Sequence, residues 1–404
     1  MNKQDSGRLS RWSSLRRFVL PMAVCGALWA AGGASMPPPC TMGWSEVGGG
    51  TDGRVRALAV FNDGLGNGPA LYAAGLFETA GDVAVNNIAC WNGESWQPVG
   101  NGVGTATTSV MCMSPVRIAG IPMLFLGGWF SAADELPVNY VTAWNGEACC
   151  PLWTGMNDGV LALTAFDDGS GTALYAGGLF TTAGDVAASH IARWDGEAWS
   201  PVGQGFDGGV FALATYDDGS GVALYAGGDF TYSGDTKVKH IARWNGEAWE
   251  PVGTGTNDAI HAFAVFDDGR GLSLIAGGLF TKAGGMPIPY VARWNGATWS
   301  PLDTRGNAPN ASVHALATFD DGHGSALYVG GQFTSIGGSP APYVAKWNGR
   351  TWARLGAGLN DRVQSMVVFT DPFSGPSLYV GGVFTSAGEL TVNHIARWGC
   401  MTPE

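Results

Sequence analysis

Paired aspartates are the first residues in this chain whose chemistry invites attention. An Asp-Asp-Gly string recurs through the sequence, starting at Asp167, Asp217, Asp267 and Asp320, with Asn62-Asp63 at the corresponding earlier position. Carboxylates in loops suggest Ca²⁺, but that ion takes about six to eight oxygens, and no Asp-x-Asp-x-Asp series with a distal Glu is present. In tight turns Asp bonds nearby backbone and Gly supplies positive φ. The pairs therefore predict turns, with Ca²⁺ binding as the alternative.

Histidine is the second residue type that suggests a metal. One position of a repeated pattern holds a histidine in three copies and an Asn or a Tyr in the others: His190, His240 and His394, against Asn87, Tyr140, Tyr290 and Tyr343. The histidines fall in separate copies of the repeat, so their imidazoles are too far apart to act as ligands of one ion. We expect no metal site and no cofactor.

Motifs of known catalytic machinery do not occur in the sequence. There is no G-x-S-x-G, H-E-x-x-H or P-loop string, and sialidase Asp-boxes and quinoprotein signatures are also missing. We therefore expect a protein that is not an enzyme.

Composition restricts the fold and the partners. Glycine accounts for 64 of 404 residues, charged residues for only 13%, and hydrophobic residues for 46%, with 17 Trp and 18 Phe. Many glycines and aromatics with few charges are typical of an all-β protein with many tight turns. The formal net charge of -12 excludes the basic surface that nucleic-acid binding requires.

A repeat of about 50 residues organises the chain. Its first marker is Gly-Gly-x-Phe, which starts at Gly127, Gly177, Gly227, Gly277, Gly330 and Gly381, with the variant Ala74-Gly75-Leu76-Phe77. Its second marker is a tryptophan, at Trp91, Trp144, Trp194, Trp244, Trp294, Trp347 and Trp398. Seven copies at this period indicate a repeat architecture, in which the tryptophans pack one unit against the next.

One copy contains four short strands. Residues 160–166 (VLALTAF), 173–180 (ALYAGGLF), 190–194 (HIARW) and 198–202 (AWSPV) are strand-like and are separated by turn signals. Four antiparallel strands in about 50 residues are typical of a β-propeller blade. The turns between strands one and two and between strands three and four should lie on one face, which their Asp and Glu residues make acidic.

The chain ends predict how the ring closes. The last repeat stops at Trp398-Gly399-Cys400 without a fourth strand, whereas Trp44-Ser45-Glu46-Val47-Gly48 matches the fourth-strand pattern W-x-x-V-G. Strand 41–48 should therefore complete the last blade. We predict an all-β, seven-bladed β-propeller over residues 35–404, with four-stranded antiparallel blades and this velcro closure. Its repeats are 55–100, 109–153, 160–203, 210–253, 260–302, 313–356 and 363–400.

The repeat resembles known propeller families. The glycine doublet, with Trp194 and Trp199 five residues apart, resembles a kelch-type blade. The string LYAGGLFTTAGD…HIARWDGEAWSPVG at 174–203 is more similar to propeller repeats of fungal cortical polarity markers and of uncharacterised exported bacterial proteins, over residues 41–400. Blade 2 departs from the pattern, since it lacks the acidic turn and has Cys149 in place of Trp. The resemblance implies the fold and leaves the function open.

The N-terminus has the layout of a secretory signal. A basic stretch ending in Arg16-Arg17 precedes an apolar run from Phe18 to Ala31 and then small residues up to Ala34. The apolar run is too short to span a bilayer comfortably. We predict a signal peptide at 1–34 and an exported protein, either periplasmic, cell-surface or secreted, without a membrane span after cleavage.

Candidate binding residues are those that break the repeat. The second residue of strand one varies from blade to blade: Arg56, Met111, Leu161, Phe211, His261, His314 and Gln364. Strand one is the innermost strand of a blade, so these side chains should ring one mouth of the central channel. We predict that Arg56, His261, His314 and Gln364 contact a ligand; the alternative is a solvated channel without a ligand.

These patterns favour an exported, non-enzymatic and monomeric propeller that binds a protein or a surface glycan. The alternative is a propeller enzyme with its site at the channel mouth. Galactose oxidase, a kelch-type enzyme, has that architecture, but the short connections here do not supply the residues of its copper site.

Two cysteines near the chain ends predict a disulfide. Aligning the Trp residues of the repeat places Cys400 at the position of Gly196 and Cys40 at that of Asp195, in the turn between strands three and four. Export would let a bridge persist. We predict a Cys40–Cys400 disulfide that locks the closure. The pairing of Cys90, Cys112, Cys149 and Cys150 stays open.

Overall fold

A computed structural model describes residues 41–66 and 68–401. These residues form strands, turns and loops. Seven four-stranded antiparallel sheets are arranged in a ring, which confirms the predicted seven-bladed β-propeller. Over this part of the chain no helix is long and apolar enough to cross a membrane.

In blades 1 to 6 the strands lie in the order of the sequence, from the innermost to the outermost, and in blade 7 the N-terminal strand is the outermost. The first strands are Val55–Phe61, Ser109–Ile118, Val160–Asp167, Val210–Asp217, Ile260–Asp267, Val313–Asp320 and Val363–Asp371. The second strands are Ala70–Gly75, Ile121–Trp129, Thr172–Gly178, Val222–Gly228, Leu272–Gly278, Ser325–Gly331 and Gly375–Gly382.

The outer half of each blade is shorter. The third strands are Ile88–Trp91, Val141–Trp144, Ile191–Trp194, Ile241–Trp244, Val291–Trp294, Val344–Trp347 and Ile395–Met401. The fourth strands are Trp96–Pro98, Cys149–Pro151, Trp199–Pro201, Trp249–Pro251, Trp299–Ser300 and Trp352–Arg354, with Thr41–Ser45 in blade 7.

A small hairpin interrupts the path from the second to the third strand in every blade. The seven hairpins are Thr79–Ala80 with Val83–Ala84, Ala132–Ala133 with Leu136–Pro137, Thr182–Ala183 with Val186–Ala187, Tyr232–Ser233 with Thr236–Lys237, Lys282–Ala283 with Met286–Pro287, Ser335–Ile336 with Ser339–Pro340, and Ser386–Ala387 with Leu390–Thr391. Because the strands are antiparallel, these hairpins and the Gly-Gly-x-Phe segments lie at one end of the blades, here called the mouth face. The turns joining strands one to two and three to four lie at the other end, the turn face.

Blade 7 closes the ring with the two ends of the chain. The sheet order places Thr41–Ser45 outside Ile395–Met401, with Trp44 opposite Trp398. The Trp44 indole donates a hydrogen bond to the Leu355 carbonyl of blade 6, at 3.2 Å. The predicted closure by the N-terminal strand is confirmed.

The tryptophans hold neighbouring blades together, as the repeat predicts. The Nε1 of Trp199 donates to the Leu152 carbonyl of the preceding blade at 3.2 Å, and Trp249 does the same to Val202 at 3.0 Å. The first glycine of each doublet lets the blades approach, since a Cβ on Gly177 would lie 2.4 Å from Cγ1 of Val210 in the next blade.

The N-terminal segment and Cys40 bear on two of the predictions, and the other cysteines on a third. The predicted signal peptide at 1–34 and Cys40 lie outside the described residues, so the signal peptide and the Cys40–Cys400 bridge stay predictions. Cys400 lies on the third strand of blade 7, opposite Met42. The four cysteines whose pairing was open are free: Cys90, Cys112, Cys149 and Cys150.

Candidate functional site

A β-bulge near the start of the first strand recurs in all seven blades. In blade 3, Val160 pairs with Gly178 and Ala162 pairs with Gly177, so Leu161 has no partner of its own in the second strand. The same one-residue shift occurs at the seven positions that vary in the sequence. A bulge redirects the side chain of its extra residue. The varying residue is therefore the one that the backbone turns out of the regular ladder.

The second glycine of each doublet makes room for this bulge. A Cβ on Gly178 would lie 2.2 Å from the Gly159 carbonyl oxygen, and one on Gly228 would lie 1.9 Å from that of Gly209. Only glycine permits such an approach of two backbones. The glycine doublet thus explains both blade packing, through its first residue, and the bulge, through its second.

The seven bulge side chains converge on one cavity of about 500 Å³, here called the mouth cavity. The predicted binding residues Arg56, His261, His314 and Gln364 all line it. The structure thus brings together every sequence-predicted binding residue, whereas binding itself stays a prediction.

Four further residues line the mouth cavity that sequence reasoning missed. Trp129, Leu179 and Gln332 occupy the x position of Gly-Gly-x-Phe, and Arg362 precedes the bulge of blade 7 by two residues. The sequence contains a signal for the first three of them, because the x position varies between copies while the neighbouring Gly and Phe stay constant.

The charged part of the mouth cavity consists of Arg56 and Arg362, and Arg54 lies close to Arg56 in the sequence. Burial, followed by the charges of Arg54 and Arg362, lowers the pKa of Arg56. The Nε atoms of Arg56 and Arg362 are buried and have no hydrogen-bond partner. Within the described residues none of the three guanidinium groups lies in an ion pair. These cations are therefore available to an anion.

Two histidines form the adjacent wall. The rings of His261 and His314 have centroids 5.1 Å apart, and His261 stacks on Phe211 at 5.3 Å. Burial, then His261 and Arg362, lowers the pKa of His314 to about 4. Burial also lowers the pKa of His261, against the opposing effect of the Asp258 and Asp229 carboxylates. At neutral pH this wall offers hydrogen bonds from uncharged imidazoles.

The rest of the mouth cavity is apolar. Met111, Leu161, Leu179 and Phe211 contribute aliphatic and aromatic surface, and the Trp129 side chain remains 38% exposed at the rim. A cavity with apolar walls and a few polar groups is typical of a small-molecule or side-chain binding site.

The Asp pairs on the turn face have structural partners. Asp167 Oδ1 accepts hydrogen bonds from the amides of Gly169 and Gly171, at 2.9 and 3.0 Å. Asp168 Oδ2 accepts one from the Tyr175 hydroxyl at 2.9 Å and lies 3.3 Å from Arg193 Nε. The first Asp shapes the turn, and the second anchors it to strands two and three. This face is consequently less acidic than a count of carboxylates suggests.

The repeated histidines have a backbone role. His190, His240 and His394 have φ values of 67°, 68° and 70°, and the Asn and Tyr residues at the same position also lie in the left-handed region. The His190 carbonyl accepts a hydrogen bond from the Gly178 amide at 3.1 Å. Residues 41–66 and 68–401 contain no group of three or more His, Cys, Asp or Glu side chains suited to a metal.

Two comparisons of the sequence with known proteins found no match. No family model matches the chain. No curated protein sequence matches it either. The kelch-type and polarity-marker resemblance of the repeat therefore stays an expectation.

Solved structures with a similar fold include two very different proteins. A chain of the mitotic checkpoint complex is 15% identical, with 95% of this chain and 100% of that chain covered and a TM-score of 0.54. The extracellular domain of a protein described as a hybrid two-component system of B. thetaiotaomicron is 11% identical, with a TM-score of 0.53. That match covers 88% of this chain but only 40% of the other.

A third structure is more distant. The GH74 enzyme of Niastella koreensis is 12% identical over 85% of this chain and 60% of that chain, with a TM-score of 0.45. For the first two structures, at 11% and 15% identity, the likeness extends to the fold alone.

Proposed function

We propose that this protein is an exported, non-enzymatic β-propeller that binds a partner protein or a surface glycan at the mouth cavity. The observation that carries the proposal is the convergence of the bulge residues. The blades use one backbone template, yet the template presents a different side chain to the cavity in nearly every copy. A purely structural lining would have no reason to combine unpaired arginines, histidines and a Gln with apolar residues. The propeller fold suits a scaffold or interaction role in general.

Export is the second part of the proposal, and it rests on the sequence of residues 1–34. The basic, apolar and small-residue segments follow each other in the order of a secretory signal. Determining the N-terminus of the protein in its native host, in separated cell fractions, tests this part. A mature chain that starts near residue 35 outside the cytoplasm is the expected result.

An enzyme at the mouth cavity is the competing function, and one contact favours it. His314 Nε2 lies 3.0 Å from Ser312 Oγ, the spacing of a base and a nucleophile. However, Ser312 is only 3% exposed, and its hydroxyl donates to Gln332 Oε1 at 3.1 Å. Within the described residues no carboxylate hydrogen-bonds His314 to orient it as a base. The pair fits a hydrogen-bonded wall better than a catalytic dyad.

A glycan and peptide array screen of the purified protein tests the binding function. We expect specific hits that are lost when Arg56, His261, His314 and Gln364 are all replaced by Ala. An array with no hits, or affinities that stay within about threefold in the quadruple variant, contradicts binding at the mouth cavity. Turnover of hydrolase substrates that is abolished by Ser312→Ala would establish the enzyme instead.

A further inference from the structure

The mouth cavity is divided into sectors that follow the order of the blades. Blades 7 and 1 contribute Arg362 and Arg56, blades 2 to 4 contribute Met111, Leu161 and Phe211, and blades 5 and 6 contribute the two histidines. Charged and apolar residues thus occupy separate groups of neighbouring blades and do not alternate around the ring.

The charged sector is incomplete by itself. Arginines elsewhere in the chain have acidic partners, as Arg193 has Asp168 and Arg243 has Asp218. Among residues 41–66 and 68–401, Arg56 and Arg362 have none. Placing like charges together in a half-buried site is unfavourable unless an anion neutralises them. The missing component is an anion with oxygens for the guanidinium groups.

The apolar sector restricts the rest of the ligand. This sector offers no strong hydrogen-bond donor or acceptor to a sugar hydroxyl, because it consists of Met111, Leu161 and Phe211. Burying sugar hydroxyls against these side chains would be unfavourable. An aromatic or branched aliphatic group is stabilised there by loss of water-exposed apolar surface. The cavity volume of about 500 Å³ accommodates a group of that size together with its anion.

We propose that the mouth cavity binds an apolar carboxylate, with its carboxylate group against Arg56 and Arg362 and its apolar group against Met111, Leu161 and Phe211. The inference rests on the proposed binding function and deepens it. Two sources supply this chemistry, namely the free C-terminus of a protein that ends in a large apolar residue and a free aryl or branched-chain acid. An acidic glycan is the macromolecular class that the apolar sector disfavours.

Calorimetric titration of the purified full-length mature protein tests the carboxylate. The probes are N-acetyl-L-phenylalanine, its uncharged amide, inorganic phosphate and a glucuronate disaccharide. We expect binding of N-acetyl-L-phenylalanine and at least about tenfold weaker binding of the amide, since the amide cannot form charge-assisted bonds. Arg56→Gln and Arg362→Gln should each weaken binding by about tenfold or more. Arg350→Gln removes the same charge from an exposed turn and should leave the affinity unchanged.

Titration with peptides distinguishes the two sources of the carboxylate, a protein C-terminus and a free acid. A pentapeptide ending in Phe is compared as the free acid and as the C-terminal amide. Binding of the free-acid peptide at least as tight as that of N-acetyl-L-phenylalanine assigns the cavity to a protein C-terminus. Binding of the small acid alone assigns it to a free carboxylate.

Several outcomes overturn this inference while leaving the binding function intact. Equal binding of acid and amide removes the role of the charge, and tighter binding of phosphate or glucuronate removes that of the apolar sector. If an Arg variant does not fold, as judged by its circular dichroism, the acid and amide comparison on the unmodified protein still decides. Binding of no probe, with array hits that persist in the quadruple Ala variant, overturns both proposals.

Discussion

The mouth face and the turn face are built from the same repeat but use their charged residues in opposite ways. On the turn face the second Asp of the pair meets a Tyr and a basic residue in blades 3, 4 and 6, as in Asp168, Tyr175 and Arg193, and in blade 5 it meets Arg293 without a Tyr. On the mouth face the bulge position changes from blade to blade, and Arg56 and Arg362 have no acidic partner in the part of the chain that the structure describes. Uniform, mutually paired charges hold a structure together, whereas variable and unpaired ones are available to a ligand.

Blade 2 supports this distinction because it loses the turn-face group as a unit. It lacks the Asp pair, Phe125 replaces the Tyr, and Ala143 replaces the Arg. Its first and second strands are joined instead by a tight turn at Ala119-Gly120. Blade 5 keeps Asp268 and Arg293 but has Ile275 at the Tyr position, so the charge pair also forms without the hydroxyl. The Asp and the basic residue are therefore the stabilising pair, and the Tyr adds a hydrogen bond where it is present.

The largest effect should come from the predicted bridge at the closure, which belongs to the turn face. Replacing Cys40 and Cys400 by Ser should lower the free energy of unfolding by about 5 to 6 kcal/mol, the chain-entropy value for a cross-link over nearly the full length of the unfolded chain. Mass spectrometry of a non-reduced digest identifies the bridge. A peptide pair joining either cysteine to another partner would refute it.

Removing a turn-face carboxylate should come next. The side chains of Asp268 and Arg293 are only 2% and 6% exposed, with Oδ1 and Nε 3.8 Å apart. Asp268→Ala leaves a buried guanidinium without its counter-charge, so we expect a loss of about 3 to 5 kcal/mol in the free energy of unfolding. Denaturant titration at pH 7 measures it. Glu197→Ala, at an exposed position of the same face, is the control and should stay within about 0.5 kcal/mol.

Acidification should destabilise the protein through the mouth face. The pKa of His314 is about 4 in the folded protein, below the ordinary histidine value of about 6.5, so between these pH values the unfolded chain binds a proton that the native state does not. The free energy of unfolding is therefore fully retained above pH 6.5 and falls as the pH decreases towards 4, by up to about 3 kcal/mol.

His314→Gln should flatten this pH dependence. Denaturant midpoints measured from pH 7 to pH 4.5 test it, because that range stays above the region where the paired carboxylates of the turn face become protonated. An unchanged slope in the variant would assign the pH dependence to other groups, among them His261 with Asp258 and Asp229.

The smallest effect on stability should follow the loss of a mouth-face charge. Arg56→Gln removes one of three repelling guanidinium groups, so the free energy of unfolding should be unchanged or rise by less than about 1 kcal/mol. The same denaturant titration measures it beside Asp268→Ala. A loss larger than about 1 kcal/mol would mean that Arg56 stabilises the fold, and the contrast between the two faces would fail.

The repeat allows much of the fold to be predicted from sequence. Six copies of Gly-Gly-x-Phe, its Ala74-Gly75 variant and the leftover Trp44 pattern are sufficient for the blade number and the closure, because both depend only on counting strands. The seven variable residues could also be assigned to one mouth. Their bulge could not, since VRALAVF at 55–61 reads as an ordinary alternating strand and the register shift appears only in the pairing with strand two.

Contacts between distant parts of a repeat were harder to predict. Asp168, Tyr175 and Arg193 have identical counterparts in blade 4, but their convergence depends on the register of three strands. The position of Arg362 in the wall of the mouth cavity could not be predicted for a related reason. It precedes the first strand of blade 7, and only the path of the backbone into the bulge brings its side chain to the cavity.

The bulge in every blade also bears on how such a protein diversifies. The extra residue has no partner of its own across the ladder, so its side chain can be exchanged without disturbing the pairing that builds the blade. Descendants of one ancestral repeat could thus acquire new ligands through point substitutions while the scaffold remained intact. In the laboratory the seven bulge codons could be randomised together to make a library of binding variants. Selection would then act on the mouth face, while the paired residues of the turn face stay unchanged.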